Sequence, residues 1–211
     1  MTKKSTAPAK DSIRKLTVIS ILSAITAIMV FTPLGMIPIF GVISATTCLL
    51  PCLIGLLIEG PMTGGILGLV FGLLSMLKAY ISPMLTMDPM FQNPLVSVLP
   101  RVIVPLAAWQ VYRLMASNAL SRTSDKYIGY TLASIAGSVL HTLLVLLMVA
   151  LFNGSIIKES SADVPANLAN NAYTILLWLV AIPSGIPEAI LCAIAVPPIV
   201  TAVSAVKKRM T

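Results

Sequence analysis

The sequence predicts an all-α integral membrane protein with six transmembrane helices, and three observations carry that reading. Hydrophobic residues make up 57% of the 211-residue chain and charged residues only 10%, with a mean hydropathy of +0.97. Soluble domains carry about 25% charged residues. The apolar residues gather in long runs separated by turn signals. The cations cluster at the ends of those runs and aromatic residues make up only 6%, which argues against nucleic-acid binding despite the net charge of +7.

In chain order, residues 1–15 form a polar tail with Lys3, Lys4, Lys10, Arg14 and Lys15. It reads as a leader to a span that stays in the membrane and not as a cleavable signal. The first span, 16–31, ends at Thr32-Pro33-Leu34-Gly35. Its residues Ser20, Ser23, Ala24 and Ala27 form two overlapping small-xxx-small pairs, a face on which another helix backbone can approach closely. A second span is expected at about 42–58, closed by Glu59-Gly60-Pro61. The third, 62–79, carries Gly64, Gly68 and Gly72 at four-residue spacing, which predicts a tightly packed face; glycine is also simply common in membrane helices. A long loop leads to the fourth span, 96–115, and a polar connection to the fifth, 128–152. The apolar run 172–206 would be about 52 Å long as one helix, against roughly 30 Å of hydrocarbon. Pro183-Ser184-Gly185-Ile186-Pro187 breaks it, giving a short interfacial or re-entrant helix at 172–182 and a sixth span from Pro187. Pro187 and Glu188 then occupy a helix N-terminus, where proline and a negative charge are favoured.

This divides the chain into a tail (1–15), a six-helix membrane domain (16–206) and a second tail (207–211). Six spans put both termini on one side. That side collects both tails' cations together with Arg113, Arg122 and Lys126, whereas the other holds Lys158, with Lys78 and Arg101 at the outer ends of spans three and four. The asymmetry predicts a plasma-membrane protein with both termini in the cytoplasm. Cys48, Cys52 and Cys192 lie in apolar runs and read as packing residues; with one histidine in the chain, no metal site and no cofactor are expected.

The stretch 78–113 organises the reading. Lys78 and Arg101 flank a polar, proline-interrupted loop, and a charge at membrane depth costs at least about 2.5 kcal/mol unless it is paired, snorkelled or functional. A loop over a cavity with cations at its rim is the functional reading, and two snorkelling side chains the plain one. Lys78 and Arg101 suit a carboxylate, Arg101 through its bidentate fork. Asn93 and Gln92 suit hydroxyls and amides. Tyr80 and Trp178 supply aromatic walls or belong to the interfacial belt. Glu188 stabilises a helix N-terminus, pairs with Lys78 or Arg101, or meets ligand, while His141 lines the cavity or bonds between helices. Enzyme chemistry is not expected. There is no phosphate loop with its Lys-Ser/Thr, and Ser138 and His141, three residues apart, have no nucleophile elbow or oxyanion hole around them.

Four segments in order, TPLGMIPI (32–39), GPMTGGILGLVFGLLS (60–75), NPLVSVLPR (93–101) and GIPEAI (185–190), resemble the substrate-binding S components of energy-coupling factor (ECF) vitamin transporters. The resemblance spans nearly the whole chain, and its branch is closest to the pantothenate carriers, with riboflavin carriers as relatives. It implies a six-helix protein that captures a vitamin at the outer face and works with a transmembrane coupling subunit and two cytoplasmic ATPases. The family's alanine-xxx-alanine docking motif corresponds here to Ser20-xxx-Ala24 or Ser23-xxx-Ala27. Pantothenate, an anion with hydroxyls and an amide, fits Arg101, Lys78, Asn93 and Gln92; riboflavin would call for more aromatic stacking. The rivals are a non-binding membrane assembly subunit and a self-sufficient secondary transporter, for which the inverted repeats and matching broken helices are missing.

Overall fold

A computed structural model describes residues 7–39, 43–83, 88–119, 123–152 and 182–210. The described helices are α1 (Ala7–Phe31), α2 (Leu49–Glu59), α3 (Pro61–Ile81), the single-turn α4 (Pro94–Ser97), α5 (Leu99–Ala119), α6 (Thr123–Phe152) and α7 (Ile186–Met210). Five stretches among them are long and apolar enough to cross a membrane: Asp11–Phe31, Pro61–Ile81, Pro94–Met115, Lys126–Phe152 and Ile182–Lys207. The fold class is therefore the expected all-α membrane type. The expected interfacial helix at 172–182 and Trp178 lie outside the described residues, except for Ile182, which opens a π-helical turn leading into α7.

The second span differs from the expectation. Residues 36–46 form an antiparallel hairpin, β1 (Met36–Ile39) against β2 (Ile43–Thr46), with Met36 opposite Thr46 and Ile39 opposite Ile43. Only Leu49–Glu59 is helical, and 11 residues reach about 16 Å, roughly half the hydrocarbon thickness. The physical reason is local. Pro38 has no N–H to continue a helix, and β-branched Ile43 and Thr46 suit a strand, whereas hydropathy alone cannot separate a short apolar strand from a helix. The Thr47 N–H donates to the Gly35 carbonyl (3.0 Å), extending the ladder to the start of α2.

Short α2 is the centre of the molecule. Leu49, Cys52, Leu53 and Leu56 are wholly buried and pack in one core with Leu67 and Phe71 of α3, Val104 and Ala108 of α5, and Cys192 and Val196 of α7. All three cysteines are free and buried, and the Cys48 thiol donates to the Gly35 carbonyl (3.3 Å). Gly60 turns α2 into α3 with a positive φ of 96°, a conformation that favours glycine, and Pro61 then starts α3 at a position where no N–H is needed.

The α3 glycine stripe faces neighbouring backbone. A Cβ on Gly68 would overlap the Arg101 carbonyl oxygen, and one on Gly72 would stand 2.7 Å from the Val98 Cα. Pro105 explains part of this. It has no N–H to donate to the carbonyl four residues earlier, which is that of Arg101, and this carbonyl abuts Gly68. The Ser97 hydroxyl adds a hydrogen bond to the Gly72 carbonyl (3.0 Å). Close α3–α5 packing thus fixes the backbone from which Arg101 projects.

Outward faces are apolar, as lipid requires: Leu69, Leu73 and Leu77 on α3, and Leu143, Leu147 and Leu151 on α6, run at four-residue spacing and are exposed. On α1, Ser20 and Ala24 are exposed among Ile21, Ile25 and Ile28, whereas Ser23 and Ala27 are half-buried.

At the end of the bundle where α1 begins and α7 finishes, Glu59 is buried and doubly paired. Arg14 Nη2 donates to its Oε2 (3.2 Å), and Arg14 Nε lies 3.2 Å from Oε1, off the line of a hydrogen bond. Lys207 Nζ donates to Oε1 (3.2 Å) and to the Ile58 carbonyl (3.1 Å). Arg14 also meets Asp11 at 3.4 Å, so two anions balance two cations.

Candidate functional site

At the opposite end, three buried charged or titratable side chains from three helices converge around one ring. Phe71 of α3 is wholly buried. The Arg101 guanidinium lies over it, 5.5 Å from the ring centroid, and over the Phe91 ring at 5.0 Å, so the cation meets two aromatic faces. Arg101 is 4% exposed; its Nη1 donates to the Val96 carbonyl (2.7 Å), and its Nε–H meets no acceptor. The His141 ring of α6 is 6.2 Å from Phe71 on another approach. Its Nδ1 is 3.0 Å from Oε1 of Glu188, in the first turn of α7, and both side chains are 3% exposed. Among the described residues His141 Nε2 has no partner.

The local sequence explains these placements. Asn93 accepts the Leu95 N–H through its side chain (3.0 Å) and caps α4, with Pro94 at the first helical position. The 3₁₀ turn Asp88–Gln92 is tied to the end of α3: Gln92 Nε2 donates to the Ala79 carbonyl (3.1 Å), and the Tyr80 hydroxyl donates to the Gln92 carbonyl (3.2 Å). Those bonds hold Phe91 over Arg101. Glu188 benefits from the positive end of α7 as well as from His141.

The predicted residues therefore divide. Arg101, His141 and Glu188 come together, and Arg101 and Glu188 lie within electrostatic reach of one another although Glu188 bonds His141. Asn93, Gln92 and Tyr80 adjoin the cluster as backbone ties, with Tyr80 itself exposed. Lys78 is half-buried in the last turn of α3, where a cation suits the helix C-terminus. Ser138 is buried one turn from His141, but its hydroxyl and His141 Nε2 do not bond to each other. Phe71 and Phe91 were not anticipated. The available cue was that each is an isolated aromatic in a segment carrying the family motifs or adjoining one.

A buried aromatic ring, a buried cation with an unmatched N–H and a histidine with an unmatched nitrogen make this cluster the candidate site for a small polar molecule. The family model for the ECF transporter substrate-specific component matches residues 14–200. The chain is an ECF substrate-specific component. This S component is also 31% identical over 190 residues to the pantothenic acid transporter PanT of Lactococcus lactis subsp. cremoris, across 82% of the chain and 92% of that protein. The pantothenate branch indicated by the sequence motifs is thereby supported, and the S component is a multi-pass membrane protein of a transporter family, not of an enzyme family.

Proposed function

We propose that this S component captures pantothenate in the cluster around Phe71, at the outer face of the cell membrane, and delivers it through a transmembrane coupling subunit driven by two cytoplasmic ATPases. The observation that carries the reading is Arg101, buried against two phenylalanine rings with an N–H left for an acceptor. A carboxylate meets that need through a charge-assisted hydrogen bond. Relatedness to a protein named for pantothenic acid selects this vitamin among small anions. Lys78, Asn93, Gln92, Tyr80 and Trp178 complete the candidate contact set. The outer-face assignment rests on the cation asymmetry of the loops. A cysteine placed at Asp88 is expected to react with an impermeant label from outside, and one at Ser124 is not.

The direct experiment is to purify the protein from rich medium, identify any co-purifying small molecule by mass spectrometry, and titrate it with pantothenate, its alcohol analogue and riboflavin. Tight binding of pantothenate alone supports the reading; preference for riboflavin, or binding of none, overturns it. Docking to the coupling subunit is assigned to Ser20 and Ala24, the exposed pair of the α1 stripe, with half-buried Ser23 and Ala27 behind them. Ala24→Trp is expected to abolish uptake while leaving pantothenate binding intact. Equal loss of both would make the stripe internal packing.

A further inference from the structure

We infer that His141 selects its ligand by a hydroxyl: its Nε2 is held as a hydrogen-bond acceptor for a ligand O–H, and Glu188 is the positioning residue that sets it so. This rests on the cluster around Phe71 being the ligand site. The geometry begins with Glu188. With Glu188 as a carboxylate, its oxygen only accepts, and at 3.0 Å the proton between the pair then belongs to His141 Nδ1. In the neutral imidazole that assigns the lone pair to Nε2. Nε2 is buried and has no partner among the described residues, as an acceptor awaiting a donor would be.

Arg101 supplies the complement. Its unmatched Nε–H is a donor, and both side chains lie against the same Phe71 ring, at 5.5 Å and 6.2 Å. One small molecule reaching both must present an acceptor to Arg101 and a donor to His141. A carboxylate has no proton to give, so the two contacts fall on different groups of the ligand. Carboxylate on Arg101 and hydroxyl on His141 satisfies both atoms. A simple fatty acid or a dicarboxylate would satisfy the first and leave the second bare. Buried acceptors without donors are costly, which makes the site discriminate strongly against analogues lacking the hydroxyl.

The chain has one histidine, so its nitrogen signals report on this site alone. The experiment uses the full-length protein in lipid nanodiscs, labelled with ¹⁵N-histidine and purified through a tag without histidine. Without ligand, the spectrum is expected to show the proton on Nδ1, and pantothenate is expected to shift the Nε2 signal. A proton found on Nε2, in the other tautomer or in the imidazolium, overturns the inference. Glu188→Gln is expected to give a mixture of tautomers; an unchanged spectrum removes its positioning role. Two analogues, each lacking one of the two pantothenate hydroxyls, supply the affinity arm. One of them is expected to bind the wild type about tenfold more weakly than pantothenate. In His141→Phe that gap is expected to close, and His141→Gln, which retains an acceptor, to reopen part of it. If the wild type binds no pantothenate, the transport reading and this inference fall together. If it binds but the Nε2 signal stays still and the gap persists in His141→Phe, only the hydroxyl contact falls.

Discussion

Two buried ionic clusters sit at opposite ends of this bundle, and they are built to opposite specifications. At Glu59, both carboxylate oxygens are taken by cations from other helices, and Lys207 donates a second N–H to the Ile58 carbonyl. At Phe71, Arg101 and His141 each keep one nitrogen with nothing to bond among the described residues, as Arg14 Nε does at the other end. Buried polar groups are normally matched because an unmatched one costs about 1–3 kcal/mol. A protein tolerates that cost where something else arrives to relieve it. The two clusters thus differ in their access to water and in the cations on the carboxylate: Glu59 is met by two cations that are each about one-third exposed, whereas Arg101, His141 and Glu188 are all buried.

Arg101 gives the largest effect with which to break this contrast. A charge-assisted hydrogen bond is worth about 1.5–3 kcal/mol, so Arg101→Ala is expected to weaken pantothenate binding by roughly ten- to a hundredfold. Arg101→Lys is expected to lose less, keeping the charge but not the fork. Calorimetry with the acid and with its uncharged alcohol checks the assignment in protein of normal folded yield. Equal losses for the two would mean that Arg101 does not hold the carboxylate, leaving Lys78 as the next candidate.

Glu59→Gln probes the other end, with the opposite expected signature. Because Arg14 and Lys207 are each about one-third exposed, they can regain water, and the loss is expected at about 1–2 kcal/mol of stability with pantothenate affinity within about twofold of wild type. Thermal unfolding in detergent reads the first quantity and titration the second. A large affinity loss without a stability loss would dissolve the distinction between the two clusters.

Phe91→Leu sharpens the contrast with the smallest effect. It removes one of the two aromatic faces that Arg101 meets and keeps an apolar cover. A cation–π contact is worth about 0.5–2 kcal/mol, so affinity is expected to fall by a few-fold, and by the same factor for acid and alcohol only if Phe91 acts as a plain lid. A greater loss for the acid marks it as part of the anion site.

Much of the architecture was legible in the chain because bilayer thickness imposes long apolar runs, and five of these are helices near their expected bounds. Gly64, Gly68 and Gly72 announced a close approach that α5 and its neighbours supply. The hairpin was not legible, since 42–58 carries no charge and the choice between strand and helix falls to Pro38, Ile43 and Thr46. At the site, charge in apolar surroundings was enough to single out Arg101, His141 and Glu188. The structural ties made by Asn93, Gln92 and Tyr80 were hidden because a polar loop side chain has the same sequence signature whether it binds backbone or ligand. Glu59 was hidden for another reason. It reads as part of a turn, and its partners stand 45 and 148 residues away.

That last separation has a consequence in time. Arg14 is already made when Glu59 leaves the ribosome, but Lys207 is not. At about 5–20 residues per second, Glu59 waits roughly 7–30 s for its second cation. Until then Arg14 is the only one of its two cations that the carboxylate can meet. Synthesis of the last turns of α7 supplies the second, so the same carboxylate that pins α1 also registers that α7 has been made.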